Sequence, residues 1–174
     1  MLTLAQLIEI VPTAGKRAAI FINPLNLAME RFQINTPKRV AAFIAQVAHE
    51  SGSFYYTKEI ASGKAYEGRT DLGNTQPGDG VKYKGHGLIQ ITGRANHLAC
   101  GRALGLDLIE HPEMLEQPEP AALSAGWFWH DFKNLNPLAD AGEFLKITKR
   151  INGGTNGLAD REQFYNQAKR VLCV

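Results

Sequence analysis

Glu50 and Glu59 are the residues of this 174-residue chain whose type and spacing could carry acid-base chemistry. The segment 36–50 reads as a helix, with Thr36 as its N-cap and Pro37 at the first helical position. Val40, Phe43, Ile44 and Val47 then recur at helical spacing and define a core-facing stripe. At about 100° per residue Glu50 falls roughly 20° from Phe43, at the edge of that stripe, while His49 points away. Desolvation there favours the protonated carboxyl, as a general acid near neutral pH requires. The plainer reading is a solvated Glu in a fraying last turn.

Glu59 follows nine residues later. On one continuous helix that spacing puts the two carboxyls about 13.5 Å apart and on opposite faces. A helix that ends at Ser51-Gly52, followed by an extended Tyr-rich segment that folds back, instead brings Glu59 across a cleft from Glu50. One carboxyl can then protonate a leaving oxygen while the other activates water, which is the chemistry of glycosidic cleavage. The pair alone is only suggestive, because Glu59 could be a surface residue beside Lys58 and Glu67 competes with it for the role of base. On the C-terminal helical segment 160–172, Arg161 lies about 60° from Phe164, inside the apolar stripe of Phe164, Ala168, Val171 and Leu172. Its guanidinium either snorkels to solvent or meets a carboxylate in the cleft, which it would keep ionised as a base; that separation would make Glu50 the acid and Glu59 the base.

The elements that must position these groups are mostly helical. Thr3 and Gln6 form a capping box before Leu4, Leu7, Ile8 and Val11; Asn23-Pro24 restarts a helix after Ile20-Phe21-Ile22; Asp140 with Glu143 caps a helix carrying Phe144, Ile147 and Ile151. Pro118 and Pro120 open an apolar helix that ends in Trp127-Phe128-Trp129, which reads as core in preference to a sugar platform. Between Ser62 and Gly80 no period survives, which predicts a long functional or mobile loop. Tyr83 to Ile91 reads as a short strand-like element, with glycines where a ligand or another backbone comes close. The expected fold is mainly α, an α+β lysozyme-like single domain over 1–174 in two lobes. Helices fill 1–35, a catalytic core spans about 36–174, and a small β element lies beside a central cleft.

Composition narrows the function. With 44% hydrophobic residues the chain can bury roughly 70% of its unfolded surface in one core. Nineteen basic against 17 acidic residues, net +2, argue against nucleic acid as the main partner. Two cysteines, Cys100 and Cys173, give no disulfide framework, no cluster has zinc-ligand spacing, and no cofactor is expected. The N-terminus lacks a basic n-region, and no run approaches the length of a membrane span, so a cytoplasmic monomer without a signal peptide is expected.

Several blocks together resemble glycoside hydrolase family 19: Ala42 to Ser51, Gly85 to Asn96, the Trp127-Phe128-Trp129 helix, Ile151-Asn152-Gly153-Gly154, and Asp160-Arg161 through Tyr165. They follow the family's order over roughly residues 37–166, and within the family the chain is similar to short chitinase-like endolysins of bacteriophages. The resemblance implies inverting hydrolysis, with Glu50 as acid, Glu59 as base and Thr92 holding the attacking water. It places Gln90, Asn96 and Asn152 on sugar hydroxyls and acetamido groups, and pairs Arg161 with the base. Tyr83 joins the substrate-binding candidates. Ala95 replaces an aromatic of plant-type members, and disulfides and a chitin-binding module are absent. With no secretion signal, these differences point to peptidoglycan in the periplasm, reached when a holin-like protein permeabilises the inner membrane of a host that is then lysed.

Three rivals stand beside that reading. A chitinase would cut chitin oligomers. A lytic transglycosylase would use Glu50 alone, since Glu50-Ser51 and Gly87-Leu88-Ile89-Gln90 resemble its Glu-Ser and Gly-Leu-Met-Gln elements. A glycan-binding module would not turn over at all, and has no need of an acid-base pair.

Overall fold

The computed structural model describes residues 1–174. Nine α-helices build it: α1 (Leu4–Ile10), α2 (Arg17–Arg31), α3 (Pro37–Glu50), α4 (Asp79–Lys82), α5 (Arg94–Leu104), α6 (Pro118–Trp127), α7 (Asn136–Asp140), α8 (Phe144–Asn152) and α9 (Leu158–Leu172). Short 3-10 turns join them, and one π-helical turn, Phe128–Phe132, continues α6. None of these helices is long and apolar enough to cross a membrane.

α3 is the central element. Thr36 accepts a hydrogen bond from the Arg39 amide, and every residue from Ala41 to Ala48 is buried. The helix packs along α9, while α2 packs along α6. The second contact needs Gly126, where a Cβ would come within 2.4 Å of the Phe32 ring. The Trp127 and Trp129 side chains lie in the core, and the Trp129 indole donates to Asn136 Oδ1 at 2.8 Å.

Local signals and tertiary packing part company at three places along the helices. Thr3 and Gln6 do form a capping box at α1, but Asp140 and Glu143 do not form one at α8. Arg39 takes the Asp140 carboxylate in a two-pronged pair, at 2.8 and 2.5 Å, and Glu143 bonds Lys146. Asn23-Pro24 does not restart a helix, because α2 runs through Pro24. The missing N–H strips a partner from the Ile20 carbonyl, and Ile20 is 54% exposed, so water can replace it. After α3 the chain reverses through a compact left-handed turn, where an extended segment was expected: Gly52, Ser53 and Phe54 have φ of 58°, 58° and 64°. Non-glycine residues rarely sit there, and the turn is held from all sides. Ser51 Oγ accepts from the Phe54 amide, Thr13 and Ser53 share a hydroxyl bond, Arg17 donates to the Ser53 carbonyl, and the Phe54 ring is buried against Phe21.

The β element is absent. The fold is mainly α with no strand: the 57–59 and 85–91 segments meet at one isolated bridge, Lys58 with His86, and a second, His86 with Ile91, lies within 85–91. Positive φ at Gly87 and Gln90 folds Tyr83–Ile91 into turns before a ladder can extend. The loop 62–80 is likewise pinned in place. Arg94 grips Asp79 through both carboxylate oxygens and reaches Gln76, and Asn74 joins the Arg94 amide to the Tyr66 carbonyl. The Arg94 guanidinium holds the Asp79 carboxyl below its ordinary range.

Candidate active site

The C-terminus of α3 and the end of α8 form one wall of a cleft, and the pinned loop with the 85–92 turn forms the other. A cavity of about 640 Å³ lies between them, lined by Glu50, Asn152, Tyr66, Arg69, Gln90 and Thr92, with apolar floor residues that include Ile89 and Phe128. It continues past Gln90 and Thr92 into a smaller recess that reaches Asn96 and Lys133. The π-helical turn contributes Phe128 and Phe132 to this end, their rings 5.6 Å apart.

Glu50 is fixed by a buried relay. Arg161 Nη2 meets Glu50 Oε1 at 2.6 Å, Arg161 Nη1 donates to Gln46 Oε1 at 2.5 Å, and Gln46 Nε2 donates to Thr148 Oγ1 at 2.8 Å. The Arg161 side chain is 2% exposed and that of Glu50 23%. Arg161 therefore points inward, but its partner is Glu50 and not Glu59, because one turn of α3 separates Gln46 from Glu50 and both face the same point on α9. The neighbouring His49 turns the other way, to Asp160 at 2.6 Å, over Gly157. A Cβ at Gly157 would stand 2.2 Å from the His49 ring, and its φ of +70° favours glycine.

Glu59 sits at the rim. The residues lining the cavity include Tyr66 but not Glu59. Its carboxylate accepts from Tyr66 Oη at 2.8 Å and from the Gly85 amide at 2.8 Å, and its own amide donates to the Gly85 carbonyl. Burial, and then the Glu59 carboxylate, push the Tyr66 phenol above its ordinary value, so it stays a donor at neutral pH. Glu67 is otherwise engaged, since its oxygens accept from the Gly78 and Gly80 amides at 2.7 and 2.8 Å. That contact staples the loop, and the residues lining the cavity include neither Glu67 nor Glu59.

The remaining expected residues divide. Thr92 Oγ1 donates to the Gln90 carbonyl at 2.9 Å, which leaves its oxygen free to accept from a ligand or water. Gln90 Nε2 bonds Gly87, and Asn96 Nδ2 bonds the Thr92 carbonyl. Asn152 Nδ2 is buried with no partner, an amide donor aimed at nothing in the protein. Tyr83 does not belong to the cleft. It is 0% exposed, donates to the Ile109 carbonyl, and packs on Arg94 and His97, a cost of reading an aromatic without knowing which way it turns. Sequence reasoning missed Tyr66, Arg69 and Gln46. Tyr66 and Arg69 lie in a stretch without period, and Gln46 announces itself only as a polar residue within the buried run of α3.

Comparison with known proteins fits this geometry. Residues 30–143, more than half of the chain, match the family described as Chitinase class I, glycoside hydrolase family 19. An endochitinase of Arabidopsis thaliana is 43% identical over 144 residues, covering 79% of this chain and 49% of its own length. A family 19 domain-containing protein of Haemophilus influenzae is 32% identical over 156 residues, covering 72% of this chain and 76% of its own. The chain spans about half the length of the plant relatives it matches, from 40% to 53%. The crystal structure of chitinase C from Streptomyces griseus superposes with a TM-score of 0.80 at 23% identity, over 99% of this chain and 76% of that one, and so shares its fold.

These relatives overturn the expectation of a bacteriophage endolysin that lyses its host through peptidoglycan with the help of a holin-like protein. They are named as chitinases or as family 19 proteins, and the endolysin reading had rested on a likeness to phage members together with Ala95, missing disulfides, a missing module and a missing secretion signal. What the blocks around Glu50, Gln90, Asn152 and Arg161 encode is the shared catalytic-domain architecture, and the chain belongs to glycoside hydrolase family 19.

Proposed function

We propose that this chain is a chitinase-type hydrolase that cleaves β-1,4 bonds between N-acetylglucosamine units, with Glu50 as general acid and Glu59 as general base. The observation that carries the reading is Glu50 itself: a carboxylate held at a cleft wall by a buried guanidinium, in a cavity that also holds an amide donor, Asn152 Nδ2, that lacks any protein partner. A buried unpaired donor costs stability, and a sugar hydroxyl or acetamido carbonyl entering the cleft would satisfy it.

In this reading Glu50 protonates the glycosidic oxygen as the bond breaks, and water attacks the anomeric carbon from the opposite side. Thr92 accepts a hydrogen bond from that water, since its own proton is committed to Gln90. The assignment of Glu50 as acid and Glu59 as base no longer draws on Arg161, which pairs with Glu50. It rests on the family resemblance and on two neutral donors, Tyr66 and the Gly85 amide, that hold Glu59 as an acceptor. The endochitinase relatives support the choice of polymer.

Turnover of N-acetylglucosamine hexamer by Glu50→Gln and Glu59→Gln tests the reading. Each variant is expected to lose at least ~100-fold in kcat while keeping the fold. Near-native turnover in Glu59→Gln would remove the two-carboxylate mechanism, and no turnover of the hexamer by the unmodified protein would remove the substrate.

A further inference from the structure

We propose that Tyr66 is a catalytic residue, the proton relay through which Glu59 reaches the cleft; this rests on the assignment of Glu59 as base. A general base must contact the water it activates, or contact it through one intervening group. Glu59 is absent from the cavity lining, and the oxygen it turns toward the cleft residue Tyr66 accepts that residue's hydroxyl proton. Tyr66 lines the cavity together with Glu50 and Thr92, and its hydroxyl donates to Glu59 Oε1 at 2.8 Å. A phenol oxygen that donates one way can accept the other way, so the Tyr66 hydroxyl joins the carboxylate to whatever stands in the cleft.

The placement is enforced. Tyr66 ends a single 3-10 turn, Lys64–Tyr66, and its carbonyl is taken by Asn74, whose side chain is fully buried and also receives the Arg94 amide. Arg94 in turn clamps Asp79 and Gln76, and Glu67, the next residue, clamps the Gly78 and Gly80 amides. The charged side chains of this loop converge on keeping one phenol at the rim. The charged groups acting on Tyr66 are Glu59 behind it and Arg69 on its own loop, with Glu50 across the cavity.

The step balances. The water oxygen bonds the anomeric carbon while the bond from that carbon to the leaving oxygen breaks, and the leaving oxygen takes the Glu50 proton. One proton of the water passes to Tyr66 Oη as the phenol proton passes to Glu59 Oε1. Tyr66 ends unchanged, Glu50 ionised and Glu59 protonated, and exchange with solvent resets the pair.

The test compares Tyr66→Phe, Glu59→Gln and a protein with difluorotyrosine at position 66, all on N-acetylglucosamine hexamer. Tyr66→Phe is expected to lower kcat by ~100-fold or more with KM unchanged, matching Glu59→Gln. The fluorinated phenol keeps the shape of Tyr66 but ionises at lower pH, so the alkaline fall of kcat should steepen as loss of the phenol proton joins loss of the acid's proton; a purely structural side chain would leave the slope unchanged. Near-native kcat in Tyr66→Phe beside an inactive Glu59→Gln overturns the relay and leaves Glu59 as base. Full activity in both variants overturns the base assignment itself. An alkaline fall no steeper than the parent's in the fluorinated protein overturns the relay even where Tyr66→Phe does not fold.

Discussion

Replacing Arg161 with Met keeps the aliphatic stem in the α3–α9 contact and deletes only the guanidinium. Three acceptors then lose their charged donor: Gln46 Oε1 in the core, Glu50 Oε1 at the cleft and, more weakly held, the Asn156 carbonyl. An orphaned buried acceptor costs about 1–3 kcal/mol, and breaking a fully buried ion pair about 3–5 kcal/mol. Glu50 is 23% exposed, so water recovers part of the second term, and the expected total is about 4 kcal/mol. For a domain of this size each kcal/mol shifts Tm by about 2–4 °C, which places the fall at roughly 8–16 °C. Thermal unfolding at neutral pH reads it directly. The double variant Gln46→Leu with Arg161→Met removes one orphan along with its donor, so it should lose less than the sum of the two single variants, by about 1 kcal/mol or more. An Arg161→Met protein within about 1 kcal/mol of the parent, or strict additivity with Gln46→Leu, would refute the relay that fixes Glu50.

Two further outcomes follow from the same packing. His97 is fully buried, and desolvation pushes it from 6.5 to about 4, with its Nδ1 on the Gly93 carbonyl and its Nε2 on His86, itself pushed down by burial. The unfolded chain therefore binds more protons than the folded one, so stability is complete above about pH 6.5 and falls as pH drops toward 4. At 1.36 kcal/mol per pH unit the His97 share is about 3 kcal/mol, measurable as urea midpoints at pH 7 and pH 4.5, and a His97→Asn variant, which keeps a donor for Gly93, should flatten that slope. Gly157→Ala forces a methyl into the His49 ring at a positive φ, and should cost about 2 kcal/mol or more in chemical denaturation; a neutral Gly157→Ala would mean the ring and loop can separate freely.

What the sequence reveals here follows the range of the interaction. Thr3 with Gln6, and Thr36 before Pro37, are caps decided within one turn, and both are legible. The inward direction of Arg161 is legible too, because a helical wheel fixes which way a side chain leaves its own helix. Which carboxylate it meets is not, since that depends on how α9 lies against α3. Asp140 fails as a cap for the same reason: a distant guanidinium on α3 outbids a local amide. The strand-like reading of Tyr83–Ile91 fails because alternation was present while the φ signs at Gly87 and Gln90 were hidden. Tyr66 was invisible because its loop has no period, and its position comes from side chains 1 to 28 residues away in sequence, Glu67 and Arg94 among them.

The most direct test of the mechanism is the configuration of the first product. Proton NMR of N-acetylglucosamine hexamer, followed from the moment the protein is added and before mutarotation, reports the anomer at each newly formed reducing end. Water activated at Glu59, on the face opposite the bond that Glu50 protonates, must give the α anomer first. Early accumulation of the β anomer would mean that the configuration is retained, and it would contradict the assignment of Glu50 and Glu59 as an inverting pair.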